Sequence, residues 1–185
     1  MSLFTKYDET TAPSEAAAVL SAAKERYGFV PNLAAYVAES PLVLAGVLKL
    51  SEQFDQSTLS PQEQQLVLLT VSALNGCSYC KTAHTALGKM AEMSSDTLQA
   101  IIAFKPLSDP RLEALRTFTA TIVEEKGWVD EQKTQAFLNA GFTKAQVFEV
   151  VLGVALKTIT NYSNHLAGAE PNEEFIAMVG DAVAA

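Results

Sequence analysis

Cysteine and histidine are scarce in this chain: its 185 residues contain two of each. Both cysteines sit in one C-x-x-C, Cys77 and Cys80, so there is no cysteine framework to staple a small fold. In a reducing compartment that spacing points to catalysis or metal and away from a structural bridge. Basic residues are outnumbered, 13 Lys and Arg against 21 Asp and Glu, for a net charge of −8. No basic run and no basic-aromatic interleaving occurs, which argues against nucleic acid and anionic membrane surfaces as partners. No apolar run approaches the roughly 18 residues of a membrane span. Lys6, Asp8 and Glu9 stand where a secretory signal would need an apolar core, so the expected location is cytoplasmic.

The composition that remains, 49% apolar and 18% charged, is globular. Its length suits one domain, residues 1–185, with a sizeable core. Helix signals recur almost throughout. Residues 14–27 are Ala-rich with Ser14 as a cap, and a short helix after Gly28-Phe29-Val30-Pro31-Asn32 extends to about Glu39. Ser40-Pro41 opens a third helix, because Ser can accept orphan amide hydrogens and Pro at the first helical position has none to lose. These form an N-terminal set over 14–56. Ser60-Pro61-Gln62-Glu63 is a capping box before a helix to Leu74 that is apolar nearly all round. Asn75-Gly76 breaks the chain, and a helix from Cys77 to about Met93 completes a hairpin over 60–93. Ser94-Ser95-Asp96 starts a short helix to about Phe104. Asp109-Pro110 starts one to about Lys126, with Trp128 packed between helices after it, and Asp130 one to about Asn139. Thr143-Lys144-Ala145-Gln146 is a second box, before a long apolar helix from Ala145 to about Asn164 that closes a C-terminal set over 109–165. The tail from Glu170 has room for another amphipathic turn or two. The expected fold is an all-α bundle of about eight or nine helices. The two apolar helices exceed what one small domain buries with ease, so homo-oligomers are expected.

At about 100° per residue, helical Cys77, Cys80 and His84 point within roughly 60° of one another. Unpaired N–H groups at the helix start favour a thiolate at Cys77, and His84 is placed to accept a thiol proton. One sulfur attacks and the other closes a disulfide; the spacing leaves their order open. Three competing readings stand beside this one. The thiols are merely buried; or Cys77, Cys80, His84 and His165 hold structural zinc, if the stretch from Thr143 to His165 repeats the first hairpin; or Cys77, Cys80 and His84 hold a catalytic zinc with an open fourth position. Glu63 reads first as the cap's carboxylate, His165 as a helix-end residue. Asn161, Tyr162 and Asn164 are candidates to line a pocket.

The stretch from Leu59-Ser60-Pro61 through Asn75-Gly76-Cys77-Ser78-Tyr79-Cys80 to His84 resembles the carboxymuconolactone decarboxylase superfamily, in its AhpD-like alkylhydroperoxidase, or peroxidase-related, branch. Gly28-Phe29-Val30-Pro31-Asn32 with Ser40-Pro41, and Asn161-Tyr162-Ser163-Asn164-His165, resemble its N- and C-terminal parts. The resemblance implies an all-α AhpD-like bundle that assembles as trimers or hexamers. It also implies hydroperoxide reduction by Cys77 and Cys80, with His84 in a proton relay, an external dithiol as electron donor, and no metal or organic cofactor. The branch's relay glutamate, twelve residues before the first cysteine, falls on Gln65, and its histidine between the cysteines falls on Tyr79. The decarboxylases that named the superfamily do not use this dithiol, so the cysteines argue against ring-lactone decarboxylation. A non-catalytic oxidant sensor on the same scaffold is the remaining alternative.

Overall fold

The computed structural model describes residues 3–180; residues 1–2 and 181–185 of the expected single unit lie outside the described residues. Among them are ten helices and no strand, against the eight or nine expected. They are α1 (Ser14–Tyr27), α2 (Asn32–Val37), α3 (Pro41–Asp55), α4 (Pro61–Leu74), α5 (Ser78–Met90), α6 (Ser95–Ile102), α7 (Pro110–Glu124), α8 (Glu131–Asn139), α9 (Lys144–Ala167) and α10 (Glu173–Val179). None is long and apolar enough to cross a membrane.

Helix α4 is the axis of the bundle. It packs against α5, α6, α7 and α9, and Leu66, Val67, Leu69 and Val71 are fully buried. Each such side chain contributes about 1.5–3 kcal/mol relative to exposure. An all-round apolar helix must be enclosed, and this one is enclosed within the protomer. It is thus a buried central helix, one of the two roles its all-round apolar character allows, and needs no subunit interface. Its buried hydroxyls are satisfied along the helix itself: Thr70 Oγ1 donates to the Leu66 carbonyl and Ser72 Oγ to the Leu68 carbonyl, both at 2.7 Å.

Both sequence-read capping boxes form, at Ser60/Glu63 and Thr143/Gln146. Two other cap readings do not hold. Ser14 is the first helical residue, behind a Pro13 cap, and Ser40 makes no side-chain cap bond; Pro41 alone marks that start. Glu63 does more than cap. One oxygen accepts from the Ser60 amide at 2.8 Å, and the other from Arg111 Nε at 2.7 Å. The Arg111 guanidinium also lies 3.8 Å over the Phe142 ring, which continues a stack through Phe137 to Phe118. This ties the starts of α4 and α7 to the α8–α9 turn. Trp128, expected between helices, is 88% exposed.

The α9 helix runs unbroken where the first hairpin breaks at Asn75-Gly76, so the two stretches are not repeats. It crosses α4 closely at Gly153. A Cβ there would come within 2.8 Å of both Phe54 Cε2 and Val67 Cγ1. Gly153→Val is expected to destabilise the fold by about 1–3 kcal/mol through overpacking. Urea unfolding measures this; an unchanged midpoint would show that α9 does not need the close approach.

Candidate functional site

The site is built where the α4–α5 turn meets the face of α9. After Leu74, Asn75 stays right-handed and Gly76 takes φ 68°, a conformation that glycine adopts without penalty. That turn leaves Cys77 as the cap residue of α5, in extended conformation, with its amide bonded to the Ser72 carbonyl at 3.0 Å. Cys77 is therefore just outside the helix it was expected to begin. Asn75 Nδ2 donates to Asn161 Oδ1 at 2.9 Å, fixing the turn against α9.

The sulfurs are unoxidised and buried, at 1% and 2% exposure for Cys77 and Cys80. Asn164 Nδ2 approaches Cys77 Sγ at 3.6 Å. Asn161 has its oxygen committed to Asn75, and its buried Nδ2 is left without a hydrogen-bond partner. The two thiols share protons unequally. Cys80 is held below the ordinary thiol range by the hydrogen bond from the Cys77 thiol, aided by the Lys157 charge and by the polar Asn161 and Lys157 side chains, against burial. Cys77 is driven far up by holding the proton in that bond, by burial and by the neighbouring thiolate. The start of α5 was expected to favour a thiolate at Cys77; the surroundings instead favour the anion one turn on, because Cys80 accepts the hydrogen bond from the Cys77 thiol, with the Lys157 charge adding to it.

His84 lies one turn past Cys80. Its Nε2 is 2.8 Å from Lys157 Nζ, and its Nδ1 is 3.0 Å from Gln65 Oε1. An ammonium only donates, so Nε2 accepts, and Nδ1 carries the hydrogen that Gln65 takes. Burial first, and the Lys157 charge second, push the imidazole well below its ordinary value. His84 is thus a neutral ring held at both nitrogens, and its connection toward Cys80 passes through Lys157. Gln65 occupies the position expected for the relay acid and serves as the acceptor that sets the tautomer.

Other expectations separate. Glu63 has both oxygens engaged in the cap and the Arg111 pair, which removes it from any relay. Tyr79 is buried and points its hydroxyl to Asn172 Oδ1 at 3.2 Å. Burial raises its pKa, so it stays neutral while tying α5 to the segment before α10. His165 is exposed and stacks with Tyr162, its ring centroid 6.1 Å away, near the end of α9 and away from the buried sulfurs. Among the described residues no three His, Cys, Asp or Glu come together to hold a metal ion. Both zinc readings, the four-ligand site and the open Cys77/Cys80/His84 site, therefore lack an assembled ligand set.

Lys157 was not foreseen. It is 4% exposed, and the signal for it was one cation inside an apolar helix, with Asn161 and Asn164 at i+4 and i+7 on the same face. Two cavities reach this polar cluster. One of about 310 Å³ is bounded by Arg26, Asp55, Gln65, His84 and Lys157. The other, about 170 Å³, is mainly apolar, with Leu33, Val37, Leu44 and Leu87 leading to His84 and Thr160.

If the ring is held as described, His84 remains the neutral Nδ1–H tautomer on lowering the pH through about 6.5, the ordinary histidine value. Ring nitrogen chemical shifts between pH 5 and 8 report this. A full titration of His84 at its ordinary value would contradict the arrangement.

Residues 41–106 match the model of the carboxymuconolactone decarboxylase family. No curated protein matches the sequence. Among solved structures, the alkylhydroperoxidase AhpD core of a peroxidase-related protein from Ralstonia eutropha JMP134 is similar with a TM-score of 0.86 at 22% identity, covering 95% of this chain and 94% of that one. A peroxidase-related protein from Silicibacter sp. TM1040 gives 0.76 at 22% identity, over 88% of this chain and 87% of that one. A variant of the debrominase Bmp8 in complex with 2,3,4-tribromopyrrole gives 0.82 at 14% identity, with 98% of each chain covered. With the helical architecture shared nearly end to end, the chain has the AhpD-like fold, and its residues 41–106 are similar to the carboxymuconolactone decarboxylase family.

Proposed function

We propose that the protein is a thiol-dependent oxidoreductase that reduces hydroperoxides by cycling Cys77 and Cys80 between dithiol and disulfide. The observation that carries this reading is the pair of buried free sulfurs at the start of α5, with Asn164 against Cys77 and surroundings that favour the anion on Cys80. A thiolate is the nucleophilic form, and a neighbouring thiol within bonding reach is a resolving group. The Cys80 thiolate attacks the terminal peroxide oxygen. The O–O bond breaks, Cys80 becomes a sulfenic acid, and the departing alkoxide takes up a proton to leave as an alcohol. The Cys77 sulfur then attacks the sulfenic sulfur, its proton leaves with the hydroxyl as water, and the disulfide forms. An external dithiol returns two electrons and two protons. The cycle calls for no metal or organic cofactor. A cytoplasmic location, where thiols are kept reduced, suits it.

The peroxidase-related neighbours support a hydroperoxide substrate. The debrominase neighbour and the apolar cavity beside His84 favour a second reading, reductive dehalogenation of a small aromatic ring. There the thiol and thiolate become a disulfide while the ring exchanges halide for hydrogen. Both readings use the same sulfurs, and the substrate that oxidises them separates the two.

The same proposal includes homo-oligomers, trimers or hexamers. Phe148, Val151, Ala155, Ile159, Tyr162 and Leu166 form an exposed stripe along α9, the face opposite its packed side. A continuous apolar stripe of this length suits a subunit contact. Light scattering of the wild-type protein is expected to show an oligomer, and Leu166→Glu with Tyr162→Lys to shift it toward monomer. A wild-type monomer at micromolar concentration refutes the assembly.

Turnover of an organic hydroperoxide with a dithiol donor tests the central reading. Cys80→Ser is expected to abolish it, and Cys77→Ser to stop recycling after one oxidation. Wild-type turnover in either variant would refute the dithiol cycle. A reversible disulfide with no turnover would assign the pair to oxidant sensing.

A further inference from the structure

Among the described residues no carboxylate pairs with the charge on Lys157. The ion pairs among the described residues join Arg26 to Asp55, Arg111 to Glu63, and other surface groups, and none includes Lys157. Yet the residue is 4% exposed, and burying an ammonium without a counter-charge is strongly unfavourable. The groups that face it can be enumerated by element. Helix α5 presents Cys77, Cys80 and His84, and α4 presents Gln65. Across the 310 Å³ cavity, α1 and α3 present Arg26, Tyr27 and Asp55, of which Arg26 and Asp55 neutralise each other at 2.8 Å. On α9 itself Thr160 and Asn161 are uncharged. Among the described residues the groups left beside Lys157 to carry a balancing negative charge are the two thiols, and of these Cys80 is the one held low.

We propose that Lys157 is the counter-ion of the Cys80 thiolate and the proton donor to the oxygen that departs when Cys80 attacks. This rests on the dithiol reading given above. Thr160, Gln65, His84 and Lys157 line the 310 Å³ cavity, so the lysine borders a space open to a small substrate. In the attack, the thiolate and the peroxide O–O bond exchange partners while one Lys157 proton passes to the alkoxide. Cys77 then closes the disulfide and its proton leaves in water. Thiol, thiolate, ammonium and hydroperoxide thereby become disulfide, neutral amine, alcohol and water, with atoms and charge conserved. The amine regains its proton from solvent, with His84 Nε2 holding it in place at 2.8 Å. In the oxidised protein Lys157 has lost its counter-charge, so its burial favours the reduced state and makes the disulfide more oxidising, as stabilising a thiolate does.

The test uses Lys157→Met, which keeps the length and apolar stem, and Lys157→Gln in case the first fails to fold. Thiolate absorbance at 240 nm is followed against pH in the reduced protein, and the disulfide is equilibrated with glutathione. Removing the charge is expected to cut the thiolate fraction at pH 7 more than tenfold. It is also expected to lower the equilibrium constant for reduction at least tenfold, about 30 mV more negative, and to slow single-turnover oxidation by a hydroperoxide to match. A merely structural lysine would change the urea midpoint and leave the titration and the potential in place. Variants that titrate and equilibrate like wild type overturn the proposal, even if turnover falls. The dithiol reading fails separately, if the wild-type protein forms no reversible Cys77–Cys80 disulfide; the reduced-state titration still decides the role of Lys157 as counter-ion.

Discussion

A cation enclosed by helices and paired with no carboxylate among the described residues constrains this structure more than any other interaction. Lys157 is buried at the α9 face, and what lies against it is a neutral imidazole and a sulfur. Such an arrangement is tolerable when something nearby accepts the charge. The hydrogen bond between the two thiols favours that, since a proton kept on Cys77 leaves the negative charge to Cys80. The lysine, the histidine and the dithiol form one electrostatic unit, in which each state depends on the others.

The bundle holds that unit in register. Helix α4 is packed on all sides, and its C-terminal turn, through Gly76, sets Cys77 at the start of α5. Helix α9 meets α4 across the bare Cα of Gly153, and one turn later places Lys157 opposite the dithiol. Asn75 and Asn161 clamp the turn to the helix at the level of the sulfurs. A rotation of α9 by one residue would turn Lys157, Asn161 and Asn164 away together, so their common face is a single geometric decision. The exposed side of the same helix carries the apolar stripe, so α9 joins the site to the surface proposed for assembly.

Much of the fold was legible because helix starts are local chemistry. The boxes at Ser60/Glu63 and Thr143/Gln146 and the Asp109-Pro110 start each place an acceptor next to amides within the same turn, and all three form. Ser40 failed as a side-chain cap because Pro41 alone suffices to begin a helix there. The α4–α9 division of labour was less legible. Two apolar helices look alike in sequence, and only the packing reveals that one is enclosed and the other has an open face. At the site, Cys77, Cys80 and His84 could be grouped by helical spacing. Lys157 could not be assigned, since it lies 73 residues from His84 and a lone lysine in an apolar run reads equally well as a side chain reaching solvent. His165 shows the reverse: chemically suitable and one turn past Asn161, but exposed near the end of α9 beside Tyr162.

The AhpD-like scaffold and the superfamily region fix the setting, and the sulfur pair within it gives the proposed chemistry its force. The most direct measurement is peptide mapping of the reduced protein after one equivalent of an organic hydroperoxide. The account predicts that both thiols disappear together into an intramolecular Cys77–Cys80 disulfide that a dithiol reverses. Recovery of both thiols unmodified, or of Cys80 as a sulfinic acid beside a free Cys77, would contradict it.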